Sequence, residues 1–135
     1  AAILRQGSDI TLVGYGTEIN EILQAADHLA EQGVQAEVVK LNQLSPLGAD
    51  LVELSVRKTG VMLVAEEQAA QGCVGQRLAA DLELCGLSAR IVLINCGRGF
   101  VPHGATSLLK RDLLLDGTGI ARKALEVLSH DKTAS

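Results

Sequence analysis

Aromatic side chains are almost absent from this sequence. Tyrosine and phenylalanine occur once each, at Tyr15 and Phe100, and tryptophan does not occur in the 135 residues. Hydrophobic residues still make up 47% of the chain, so a buried core has to be built from valine, leucine, isoleucine and alanine. An aliphatic core of this kind is typical of sheets that helices cover on both faces.

Basic clusters and long apolar runs are also lacking. The net charge is −4 with no run of lysine or arginine, which argues against nucleic acid or an anionic membrane as a partner. No apolar run is long enough to span a bilayer. The three cysteines, Cys73, Cys85 and Cys96, show no C-x-x-C spacing, which favours reduced thiols in a cytoplasmic protein.

The stretch that organises the chain is 9–17, which reads Asp-Ile-Thr-Leu-Val-Gly-Tyr-Gly-Thr. Its uncharged residues 10–13 predict a buried strand, and Gly14 and Gly16 permit a sharp turn after it. Thr17 is expected to cap the helix that follows. A third glycine, which a dinucleotide-binding fingerprint requires, is missing, so a structural turn is favoured over a nucleotide site.

The rest of the chain repeats this strand–turn–helix pattern. Apolar runs predict strands over 36–41, 61–65 and 89–95. Apolar residues at helical spacing predict helices over 18–32, 46–59, 74–85 and 107–114, and a last helix from Thr118. In the helix over 46–59, Leu47, Leu51 and Leu54 are expected to face the core. The alternation predicts an α/β fold, with one parallel sheet covered on both faces, and a single domain over 1–135.

Candidate site residues lie in the loops that follow the predicted strands, where ligands of such sheets gather. These loops are 14–17, 66–75 and 95–104, and the residues selected from them are Gly16, Thr17, Glu66, Gln68, Phe100 and His103. Glu66 and Glu67 could form an acid–base or cation site. Adjacent residues of a strand point to opposite faces, however, which favours a carboxylate held by loop amides, with Glu66 in that role.

The last of these loops contains one aromatic residue and one histidine. Phe100 is expected to be buried against the domain or a partner chain, because exposing it would place an apolar ring in water. His103 could reach a ligand, but hydrogen bonding to the backbone or to solvent is the simpler interpretation. Cys73, Cys96 and His103 match no zinc-binding spacing, and the sequence indicates no catalytic set and no metal site.

Several motifs together resemble the C-terminal domain of transketolase-like thiamine-diphosphate enzymes. They are Gly7-x-Asp9-Ile10 with Gly16-Thr17, then Leu44-Ser45-Pro46-Leu47, then Val64-Ala65-Glu66-Glu67 with Gly72-x-x-Gly75. The last third, Phe100-Val101-Pro102-His103-Gly104 with Leu115-Asp116 and Gly119-Ile120, resembles the end of the 1-deoxy-D-xylulose-5-phosphate synthases. The likeness spans essentially the whole chain.

This resemblance implies a three-layer α/β/α sandwich with a five-stranded sheet. A short strand near 2–4 would run antiparallel at the edge of four parallel strands, and the 10–13 strand would lie in the middle beside 61–65. In such enzymes the diphosphate and Mg²⁺ are held by a Gly-Asp-Gly…Asn motif of an earlier domain, which this sequence does not contain. The resemblance therefore implies that this domain binds no cofactor itself, although its parent enzyme uses thiamine diphosphate and Mg²⁺.

Three functional hypotheses follow. The first is the C-terminal domain of a synthase-like enzyme acting on pyruvate and glyceraldehyde 3-phosphate, with a scaffolding and dimerisation role and the missing cofactor-binding domains as partners. The second is the equivalent domain of a transketolase or of a 2-oxo-acid dehydrogenase β chain. The third is a free-standing module that binds a small ligand or regulates another protein.

Overall fold

The computed structural model describes residues 2–16, 18–41, 49–65, 74–84, 86, 89–94 and 117–134. Its five strands are β1 (Ala2–Arg5), β2 (Ile10–Gly14), β3 (Ala36–Lys40), β4 (Val61–Ala65) and β5 (Arg90–Ile94). The helices in these ranges are α1 (Glu18–Glu31), α2 (Ala49–Thr59), α3 (Val74–Leu84) and α4 (Gly117–Ala134).

The strands form one sheet in the order β1-β3-β2-β4-β5. Strand β2 is central and runs parallel to both neighbours, with Leu12 opposite Val38 on one side and Leu63 on the other. Strand β1 pairs antiparallel with β3, and the register shifts between Ile3 and Arg5. The predicted mixed sheet, with one antiparallel edge strand and the 10–13 strand beside 61–65, is confirmed.

The two faces of the sheet are covered by different helices. Residues of β2 alternate between the faces, as strand geometry requires, so Ile10 and Leu12 pack with α1 and α4 while Val13 packs with α2 and α3. Every residue of β2 and β4 is buried. Helices on both faces make the predicted three-layer α/β/α arrangement, and the core is aliphatic as the composition requires.

The end of α1 shows how glycine closes these helices. Gly33 has a φ of +81°, which is the left-handed region that glycine adopts without steric cost. Its amide donates to the Ala30 carbonyl at 3.0 Å, and the Val34 amide donates to the Leu29 carbonyl at 2.9 Å. This pair of bonds is a Schellman motif, which satisfies carbonyls that the helix leaves open.

The inward face of α2 differs from the prediction. Leu54, expected in the core, is 67% exposed, and the buried residues are Val52, Ser55 and Val56. Val52 and Val56 pack in the core and Ser55 hydrogen-bonds Thr11, so the face of α2 that contains these three residues lies against the sheet and Leu54 lies away from it. Leu47, Cys85, the Ser45-Pro46 cap and the predicted helix at 107–114 lie outside the described residues.

Among the described helices, none combines the length and apolarity that crossing a membrane requires.

Candidate functional site

The carboxyl ends of β2 and β4 form a topological switch point. Helix α1 follows β2 and packs on one face of the sheet, whereas α3 follows β4 and packs on the other. Diverging connections of this kind leave a crevice between neighbouring strand ends, where ligands of open α/β sheets bind. The structure describes the β2 wall of this crevice, which consists of Gly14, Tyr15, Gly16 and the first turn of α1.

The two glycines of this wall have different roles. A Cβ on Gly14 would lie 2.1 Å from Ile22 Cδ1 and 3.6 Å from the Ala65 carbonyl oxygen, so glycine lets α1 approach the end of β2 closely. Gly16 has a φ of +62°, and a Cβ there would meet nothing within 4 Å. Gly14 is therefore a packing position, whereas Gly16 is a turn position that opens toward solvent.

The first turn of α1 brings two carboxylates to this end of the sheet. Glu18 is only 3% exposed. Glu21 reaches across to α4, where its Oε2 accepts a hydrogen bond from the Gly117 amide at 3.1 Å. A Cβ on Gly117 would lie 2.7 Å from Gln24 Cβ, so a larger residue would push the two helices apart. Glu21 thus caps the start of α4 and holds it beside α1.

A second buried polar group lies toward the other end of the strands. The Glu37 side chain is 1% exposed, and its Oε1 pairs with Lys58 Nζ at 2.5 Å and accepts from the Gly7 amide at 3.3 Å. Thr11 Oγ1 shares hydrogen bonds with Ser55 Oγ at 2.8 Å and with Thr59 Oγ1 at 2.7 Å. These contacts join β2, β3 and the last turns of α2.

The protonation of Glu37 reflects this environment. Burial alone raises the pKa of Glu37, but hydrogen bonds from Lys58, Ser55 and the Gly7 amide, together with the Lys58 charge, bring the pKa below its ordinary value. The carboxylate is therefore ionised at neutral pH. The polar atoms of the cluster bond to one another far from the switch point, which is typical of a structural network rather than a reactive one.

An open cleft of about 520 Å³ lies near the amino ends of β2 and β3, at the opposite end of the strands from the switch point. It is lined by Asp9, Gln32, Gly33, Val34, Leu125, Leu128 and Ser129. Leu125, Leu128 and Val34 continue the core packing at its floor. Asp9 Oδ2 accepts from the Gln35 amide at 2.7 Å, so this carboxylate also holds the turn that leads into β3.

The family model described as "Transketolase, C-terminal domain" matches residues 1–120. This chain belongs to that family. The 1-deoxy-D-xylulose-5-phosphate synthase of Heliobacterium modesticaldum is 33% identical over 97% of this chain, which spans 20% of that protein. The pyruvate dehydrogenase E1 component subunit beta of Bacillus subtilis is 38% identical over 93% of this chain, which spans 40% of that subunit.

Solved structures agree with the family assignment. A structure described as a split-gene transketolase, an inactive beta4 tetramer, matches with a TM-score of 0.84 and 26% identity, covering 95% of this chain and 41% of the other. A Pichia stipitis transketolase matches with a TM-score of 0.66 and 19% identity, covering 98% of this chain and 18% of the other, which shows the shared fold. The transketolase C-terminal domain is thus one part of much longer proteins.

Of the site residues predicted from sequence, the structure describes only Gly16, which lies in the turn between β2 and α1, and its role in a site stays a prediction. Thr17, Glu66, Gln68, Phe100 and His103 lie outside the described residues, so their roles stay predictions. Within the described ranges, no group of three or more histidine, cysteine, aspartate or glutamate side chains could hold a metal ion.

Sequence reasoning missed two features of this family member. Glu37 was not selected, although a lone acidic residue between Ala36 and Val38 in an apolar strand is a signal for a buried pair. The contact between Glu21 and Gly117 joins residues 96 positions apart, and no local pattern points to it.

Proposed function

We propose that this chain is the C-terminal domain of a thiamine-diphosphate-dependent transferase similar to 1-deoxy-D-xylulose-5-phosphate synthase, and that it is not catalytic alone. The observation that carries the proposal is the 33% identity to such a synthase over nearly all of this chain and only a fifth of that protein. The parent enzyme would join pyruvate and glyceraldehyde 3-phosphate. Residues 1–135 would form one domain within it, in the cytoplasm.

The contacts at the carboxyl end of β2 favour a scaffolding role for this domain rather than a catalytic one. Gly14 and Gly117 allow α1 to pack closely on β2 and α4, and Glu21 accepts a hydrogen bond from the first amide of α4. We propose that the β2 wall of the crevice shapes the substrate entrance of the parent enzyme and that the domain contributes to homodimer contacts.

We propose that this domain does not itself hold the cofactor, because its sequence lacks the Gly-Asp-Gly…Asn motif that holds the diphosphate and Mg²⁺ in the enzymes it resembles. We therefore derive no cofactor-dependent step from this chain, and we assign thiamine diphosphate and Mg²⁺ to domains outside it.

The second candidate is the C-terminal domain of a 2-oxo-acid dehydrogenase β chain. The 38% identity to the Bacillus subtilis pyruvate dehydrogenase subunit favours it, because this value exceeds the identity to the synthase above. In that case the domain surface would dock an acyltransferase partner instead of completing a synthase.

Activity of the complete gene product separates these candidates. With thiamine diphosphate and Mg²⁺, a synthase should consume pyruvate only when glyceraldehyde 3-phosphate is present. A dehydrogenase β chain should need its α chain and should reduce an artificial electron acceptor with pyruvate alone. A gene that encodes this domain by itself, with no catalytic partner, would refute both candidates and leave the free-standing module.

The loop around Phe100 offers a second test of the proposed role. Phe100→Ala in the complete enzyme should lower dimer stability or activity more than His103→Ala does, because an aromatic ring in an interface loses more buried surface on truncation. Dimer dissociation by analytical ultracentrifugation and steady-state rates would be measured for both variants. Equal and negligible effects would mean that this loop is a passive connection.

A further inference from the structure

We draw no further inference here: the strongest candidate, the open cleft between the end of α1 and the helix α4 near the amino ends of β2 and β3, carries nothing, because the Asp9 carboxylate in it already accepts a hydrogen bond from the Gln35 amide and nothing in the structure shows what covers its apolar floor.

Discussion

Replacing Glu37 by glutamine should destabilise the fold by about 2 kcal/mol at neutral pH. The substitution keeps the shape of the side chain but removes the charge that pairs with Lys58. Hydrogen bonds to charged groups contribute about 1.5–3 kcal/mol each, and Glu37 accepts them from Lys58, Ser55 and the Gly7 amide. The loss falls in the lower half of that range because the Lys58 side chain is 49% exposed and can return to water.

The effect should depend on pH in a defined direction. The pKa of Glu37 is lower in the folded state than its ordinary value, so its stabilising contribution is complete above the unfolded pKa. That contribution is lost as the pH falls through the folded pKa. Glutamine does not titrate, so the difference in free energy of unfolding between the two proteins should shrink between about pH 7 and about pH 3.

Urea unfolding followed by circular dichroism at both pH values measures this difference. Glu53→Gln is the control, since it breaks an i,i+4 pair with Arg57 on the surface of α2 and should cost less than about 0.5 kcal/mol. The reasoning fails if Glu37→Gln costs no more than Glu53→Gln at neutral pH. It also fails if the cost of Glu37→Gln persists unchanged in acid.

Three further predictions concern the core, the glycines and the cofactor. Leu12→Ala should lower the free energy of unfolding by about 2–5 kcal/mol, because this side chain is fully buried in the central strand. Leu54→Ala should change the urea midpoint little, because Leu54 is exposed, and equal shifts for the two variants would contradict the burial described above. Gly7→Ala should cost about 1–3 kcal/mol, since its Cβ would lie 2.4 Å from the backbone of β3. Gly14→Ala should lower stability less than Gly7→Ala does, because its Cβ would meet the flexible end of the Ile22 side chain rather than backbone. Thermal melts of the two variants measure this order, and the reverse order would contradict it. Calorimetric titration of the 135-residue chain with thiamine diphosphate and Mg²⁺ should show no binding, and tight Mg²⁺-dependent binding would overturn the assignment of the cofactor to other domains.

Local patterns in the sequence were sufficient for most of the described elements. The 61–65 strand was predicted with the bounds that the structure has, and α1 begins at Glu18 as expected and ends one residue early. These bounds were predictable because an uninterrupted apolar run and a glycine at a helix end are local signals, which determine the structure of residues close to them in sequence. In α2 the assignment of Leu54 to the core was wrong, whereas Leu51 packs against the core as predicted. The buried face includes Ser55, whose hydrogen-bond partner is a threonine 44 residues away, and no local pattern points to that contact.

The sequence by itself determined the aliphatic core, the alternation of strands and helices, and the family, since each depends on composition or on motifs read in order. The tertiary structure decided which polar groups are buried together. Glu37 meets Lys58 across 21 residues, and Glu21 meets Gly117 across 96. Such pairs form only when the strand order brings distant segments side by side, because the free energy that selects them comes from burial and hydrogen bonding in the assembled sheet rather than from any local preference of the chain.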